Sequence, residues 1–253
     1  MTEKTSLAQP AEIIRETLSR PSIFKNEEPL SLEYLPPRLP HREKQLRFLA
    51  ELFRSVLEKP GATGPKVLIT GDIGTGKTVL TQRFGTDIQR TAKTLKLNLR
   101  YIHINCREYR GSLFMILKRV LQTFTPTFPQ RGFSSEELLQ ILLDQLDDKN
   151  LHVMLTLDEA DMLINTEGTT SLYNLTRIQE ERPGKPVRLS LICILRDIRL
   201  LETLDRSTQS TLQRNIIRLE HYTSHELEKI LQERVELAFN EGTVAEEVVN
   251  FIA

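Results

Sequence analysis

Lys77 and Thr78 close the octet "GDIGTGKT" at residues 71–78, which fits the spacing G-x-x-x-x-G-K-[ST]. Glycines at 71, 74 and 76 allow backbone turns closed to other residues. The N–H groups of Gly71, Asp72, Ile73, Gly74, Thr75, Gly76, Lys77, Thr78 and Val79 are then free to aim at phosphate oxygens, helped by the positive end of a following helix. Lys77 would bring its ammonium to β- and γ-phosphates, and the Thr78 hydroxyl would ligate Mg²⁺. An ordinary glycine-rich turn is the bland alternative. The octet's place between the apolar run "PKVLIT" and the helical pattern "VLTQRFGTDIQRTAK" argues for the phosphate cradle. Phosphoryl transfer needs a second magnesium anchor and a group on the attacking water. "HVMLTLDEAD" offers both: Asp158 to hold Mg²⁺ through water, and Glu159 to polarise the nucleophile. Taken alone, the two carboxylates would read as a solvated pair capping the next helix.

These residues need a scaffold, and the hydrophobic pattern supplies one. "KVLIT", "RYIHIN", "HVMLTLD", "VRLSLICIL" and "NIIRLE" are short runs rich in Val, Ile and Leu, separated by segments of helical period such as "SSEELLQILLDQLDD". The alternation predicts an α/β fold, a parallel sheet with helices on both faces. Residues 20–40 carry five prolines and no clean period, which predicts an extended lead-in lying over the core, followed by a helix in "HREKQLRFLAELFRSVLEK". The last stretch holds two helical patterns split by "NEG" and no strand, predicting a small all-helical appendage.

Composition narrows the function. The 253 residues are 39% hydrophobic and 27% charged, enough for a sizeable core, and 34 Lys and Arg balance 34 Asp and Glu. A dedicated nucleic-acid-binding domain would show a basic excess, so any such binding must be local. Cys106 and Cys193 are too few and too far apart in sequence for a disulfide framework or zinc site, which fits a reducing cytoplasm. No run approaches about 18 apolar residues, and the first residues lack a signal-peptide core, so no membrane partner is expected.

The loop, "LDEADMLI", the lead-in "SIFKNEEPLSLEYLPPRLPHREKQL" and the closing "YTSHELEKILQERVELAFNEG" together resemble the archaeal Orc/Cdc-type replication initiators, a branch of the AAA+ ATPases, over roughly residues 20–253. That resemblance implies a five-stranded parallel P-loop sheet with a helical lid and ATP or ADP bound between them. It also implies a nucleoid-associated protein that marks origins on double-stranded DNA and acts with other initiator subunits to load the replicative helicase. It divides the chain into an N-terminal tail (1–20), an AAA+ core with its lead-in (21–221) and the start of a lid (222–253). Adenine-side contacts would fall near Tyr34, Leu35, Pro37, Leu39 and Arg42, unless His41 and Arg42 merely form the first turn of a solvated helix. Residues 106–133 stand where such initiators carry a helical insertion that touches DNA; its "REYR" and "KR" clusters fit that role or a solvated face.

The chain departs from the family pattern in three places. The fourth strand's usual polar residue, which aligns the attacking water, is Arg196, and a guanidinium cannot accept a hydrogen bond from water. The inter-subunit arginine of "LDxRxxS" is shifted by one to Arg206 in "LDRSTQS". "VAEEVVNFIA" stops within a helical pattern, short of the family's lid arginine and winged helix, as a truncated form or a lineage without them would. Three functional readings follow: a slow ATPase switching an initiator between ATP and ADP states; a scaffold module that holds nucleotide and rarely hydrolyses it; and, with a poorer match, a bacterial-type helicase loader or transposition ATPase. For the chain as given, DNA binding is expected to be weak.

Overall fold

The computed structural model describes residues 10–129, 132–177, 182–203, 206–212 and 215–253, which fall into two units. The larger, Pro37–Tyr222, begins with α2 (Glu43–Glu58), following a helix α1 (Pro10–Ser19) that belongs to the smaller unit. It continues as β1 (Lys66–Gly71), α3 (Lys77–Thr94), β2 (Leu99–Asn105), α4 (Leu113–Gln122), α5 (Ser135–Asp148), β3 (His152–Asp158), α6 (Ala160–Glu167), α7 (Thr169–Arg177), β4 (Leu189–Leu195), α8 (Arg206–Leu212) and β5 (Ile216–Leu219). The five strands form one sheet in the order β2-β3-β4-β1-β5, every pairing parallel. This is the parallel α/β sheet expected from the alternation of runs, with the five strands that the resemblance implies.

Burial explains the arrangement. All seven positions of β3 and of β4 are buried, as strands covered on both faces must be, so these runs are mostly apolar and do not alternate with exposed polar residues. Successive residues still part to opposite faces. Leu155, Leu157, Leu191 and Cys193 join α4 and α5 through Leu117, Leu139 and Leu142, while Met154, Ile192 and Ile194 join Leu49 and Phe53 of α2 and Leu80 of α3. Each such large side chain contributes about 1.5–3 kcal/mol on burial. The run before α5 starts its helix cleanly: Ser134 accepts from the Glu137 amide while the Glu137 carboxylate accepts from the Ser134 amide.

Because all strands are parallel, their carboxyl ends share one edge. Gly71, Asn105, Asp158 and Leu195 therefore end at the same side of the sheet, with Asn105 opposite Asp158 in the β2–β3 register. That edge is where open α/β sheets bind ligands.

The smaller unit combines residues 10–36 with Thr223–Ala253. It holds α1, a 3-10 turn at Glu28–Leu30, α9 (Ser224–Ala238) and α10 (Glu246–Ile252). Residues 21–36, placed with the core on sequence grounds, belong to this unit instead. Their prolines deny them a helix, and α9 satisfies their backbone: Arg234 donates to the Pro29 carbonyl and covers the Tyr34 ring at 5.1 Å, while Phe24 meets Phe239 at 4.9 Å. No described helix is long and apolar enough to cross a membrane.

Candidate functional site

The loop after β1 turns on its glycines. Gly74 and Gly76 have φ of 83° and 85°, a left-handed region that favours glycine, and a Cβ on Gly71 would stand 2.3 Å from the Leu219 carbonyl oxygen. Gly76 then caps α3, whose first residue is Lys77. The Lys77 ammonium folds back on its own loop, donating to the Gly71 and Asp72 carbonyls at 2.7 and 2.6 Å. Burial lowers its pKa, partly offset by Asp158, Asp72 and Asp161; nearby Arg196 lowers it further. Thr75 is buried, donates its hydroxyl to the Asp72 carbonyl and ties the loop together.

Across the edge, Thr78 Oγ1 donates to Asp158 Oδ2 at 2.6 Å, joining two residues 80 positions apart. The other Asp158 oxygen accepts from the Glu159 amide at 2.8 Å. His103 adds a third neighbour, its Nε2 3.4 Å from Asp158 Oδ2 and its Nδ1 3.1 Å from the Tyr101 hydroxyl. Burial alone would raise the Asp158 pKa, but the contacts from His103, Thr78 and the Glu159 amide outweigh it, so the carboxyl sits below its usual range and stays ionised.

Glu159 caps α6 with φ 51° and ψ 44°, a conformation that costs a non-glycine residue energy and that clusters at functional sites. Its carboxylate is clasped. Arg196, just after β4, donates to Oε1, and Arg107, just after β2, brings Nε within 2.7 Å of Oε2. The two arginine side chains are 36% and 58% exposed, so this charge cluster borders on solvent.

Of the residues singled out by sequence, the fold gathers the 71–78 loop, Asp158, Glu159 and Arg196 at one edge. Arg42 is not part of a solvated turn. It is 6% exposed, donates to the Thr75 and Glu220 carbonyls at 3.0 and 2.9 Å, and lies 3.8 Å over the Tyr222 ring. A solvated first turn is thereby excluded, and Arg42 buttresses the loop from below. Leu39 packs half-buried against the α2 face of the core, whereas Pro37 is exposed. Tyr34 and Leu35 lie in the smaller unit. Within the loop Ile73 is exposed, and Asp72 Oδ2 lies 3.0 Å from His221 Nε2, accepting its proton in the Nε2–H tautomer. Arg206 opens α8 as an exposed side chain; the two residues before it lie outside the described segments.

Two neighbours of the carboxylates were not anticipated. Arg107 was read only as part of a basic cluster, and His103 not at all. The signal for Arg107 was its place two residues beyond a strand that ends level with Asp158; His103 carried none, since its side chain reaches Asp158 from two residues earlier on the neighbouring strand.

With this geometry in place, known proteins provide a comparison. A family model described as "AAA domain" matches residues 62–199. "ORC1-type DNA replication protein 2" of Sulfurisphaera tokodaii is 37% identical over 244 residues, 96% of this chain and 58% of that protein. Among solved structures, Cdc6p from Pyrobaculum aerophilum superposes with a TM-score of 0.81 at 29% identity, over 91% of this chain and 59% of that one. The ORC1 protein of Aeropyrum pernix, solved in complex with DNA, does so with 0.80 at 30%, over 90% and 58%. The chain thus spans under two thirds of the length of these relatives.

Proposed function

The chain belongs to the AAA domain family, and its relatives are ORC1-type DNA replication proteins; we propose that it is a replication initiator that binds ATP or ADP and hydrolyses ATP slowly to change state. The observation that carries the nucleotide reading is the 2.6 Å link from Thr78 to Asp158, which joins the glycine loop to the acidic strand end. The hydroxyl and carboxylate are hard oxygen donors, few in number, and suit Mg²⁺, which keeps several waters and takes few protein ligands. When bound, the ion would neutralise charge between the β- and γ-phosphates.

The chain's own residues divide the rest of the work. The loop amides and Lys77 hold the phosphates, with the Lys77 ammonium exchanging two loop carbonyls for phosphate oxygens. Arg42 keeps the loop in shape from beneath through Thr75. Glu159 orients the attacking water. Arg196 lacks an acceptor for that water and instead engages Glu159, together with Arg107. This clasp favours slow turnover and gives weight to a second reading, a module that holds its nucleotide and rarely hydrolyses it.

Double-stranded DNA, other initiator subunits and the replicative helicase are the partners proposed, in the cytoplasm at the nucleoid, with 222–253 as the start of a lid. The names of the relatives support the replication role, and the neutral net charge supports only weak DNA binding by this chain. Identifying the nucleotide released when the purified protein is denatured tests the proposal. ADP is expected; a protein that releases none and gains no thermal stability from ATP·Mg²⁺ or ADP·Mg²⁺ would refute it.

A further inference from the structure

Residues 83–100 concentrate cations that the chain as a whole balances: Arg83, Arg90, Lys93, Lys96 and Arg100 stand against Asp87 alone. The fold sorts them. Arg83 is 8% exposed and donates from two nitrogens to Asp87, so the one carboxylate is held by a buried partner. Arg90 keeps only a loose pairing with Asp87, at 3.6 Å, and Lys93, Lys96 and Arg100 are exposed.

Three of these cations line one groove. β2 is an edge strand of the sheet, and between it and the second half of α3 runs a groove of about 550 Å³ lined by Gln89, Arg90, Lys93, Asn98 and Arg100, with Leu97 and Leu99 also on its wall. No carboxylate is among its lining residues. Arg90 and Lys93 are one helical turn apart on α3, about 5–6 Å between Cβ atoms. Arg100 comes from the strand, anchored by a 3.2 Å bond to the Thr123 carbonyl and by the Phe124 ring 5.5 Å away.

The neighbourhood decides what such a groove takes. An edge strand invites a partner strand, but the Tyr101 amide is already bonded to Gln89 Oε1 at 2.7 Å, so this part of the edge is capped. No aromatic ring lines the groove, so it offers no platform on which unpaired bases would stack. Cations without carboxylates, base-stacking rings or a free strand edge suit a sugar-phosphate backbone. We propose that the α3–β2 groove is a sequence-indifferent seat for the backbone of duplex DNA, with Arg90, Lys93 and Arg100 as its phosphate contacts. The choice of duplex rests on the replication reading above.

Anisotropy of a labelled duplex of arbitrary sequence, titrated with the ADP·Mg²⁺-loaded full chain at several salt concentrations, tests the seat. Each phosphate contact adds about 1 to the slope of log affinity against log salt, so Arg90→Ala, Lys93→Ala and Arg100→Ala together should lower it by about 3. Binding at low salt should weaken about tenfold or more. A charge-matched control on α2 and the residue that follows it, Lys44→Ala with Arg47→Ala and Lys59→Ala, should keep slope and affinity, and unchanged stabilisation by ADP·Mg²⁺ should show both triples folded. An equal loss in the control would mean net charge alone is read and would overturn the seat. So would a groove variant that keeps its duplex affinity but loses binding to poly-glutamate, which would make the partner an acidic protein. If the groove variant binds duplex like the wild type, only the seat falls. If the wild type binds no duplex at any salt, the DNA reading of this chain falls with it.

Discussion

The carboxyl edge of the sheet holds two half-sites of unlike character. Beside β1 and β3, the loop, Lys77, Thr78 and Asp158 form a set of short hydrogen bonds in which Lys77 and Asp158 are each placed to meet a ligand of opposite sign. Towards β4 and β2, Glu159 sits in a left-handed turn with both carboxylate oxygens facing arginines. On the function proposed above, the first half would bind the nucleotide, and the second holds Glu159, the proposed water-orienting group, in an ion-pair cluster. The proposed function then predicts a protein that grips a nucleotide more readily than it turns it over.

The largest effect should come from removing the charge of the binding half. Lys77→Ala should abolish stabilisation by ATP·Mg²⁺ in a thermal-shift experiment, where a ligand at a hundredfold excess over its Kd contributes about 2.7 kcal/mol to the wild type. A mutant that melts as high as the wild type with nucleotide would break the comparison at its first term. Next, Glu159→Gln should lower single-turnover hydrolysis by about 10² or more while leaving nucleotide affinity intact, because a positioned base contributes on that scale. An equal loss of affinity would show that Glu159 belongs to the binding half.

The opposite end of β3 provides a control. His152 is buried, with its Nε2 2.8 Å from Ser190 Oγ, and burial, reinforced by Arg188, pushes its pKa down to about 4. The unfolded chain then binds the extra proton from the ordinary value near 6.5 downward, so this stabilisation is present above pH 6.5 and is lost progressively towards pH 4. At pH 5 the loss amounts to about 2 kcal/mol. Denaturant melts of wild type and His152→Gln at pH 7 and pH 5 should show the variant losing less, with ADP affinity at pH 7 the same in both. A change in that affinity would mean the two ends of the strand are not independent.

The smallest effect concerns the clasp. A partly exposed ion pair is worth up to about 1 kcal/mol, and about 1.4 kcal/mol is a factor of ten in rate. Arg196→Asn and Arg107→Ala should therefore each raise steady-state turnover by roughly two- to fivefold, with KM for ATP little changed. Lower turnover in both variants would show that the arginines assist the water step and do not restrain it.

Much of this architecture was legible in the residues. Five apolar runs became five parallel strands within one or two residues at each end, because strands covered on both faces are mostly apolar and stand out as short hydrophobic runs. The octet was legible because a turn through positive φ needs glycine and a phosphate needs lysine, both local requirements. Arg42 was not. A guanidinium looks the same in sequence whether it is solvated or, as here, buried under a loop 33 residues away. Residues 21–36 were misassigned to the core, since prolines show that a segment is not helical but not which helix its carbonyls will find.

The sequence by itself determined the fold class and the chemistry of the cradle, because hydrophobic period and glycine spacing act over a few neighbouring residues. Tertiary structure alone decided which charges meet. It brought Arg107 and Arg196 to Glu159, His103 to Asp158, and Arg83 to a buried place that leaves Arg90, Lys93 and Arg100 outside. Strand order and register set those meetings, and they depend on how the helices cover the sheet as a whole. A charged residue's own type says that it wants a partner; only the packing of distant segments says which one it gets.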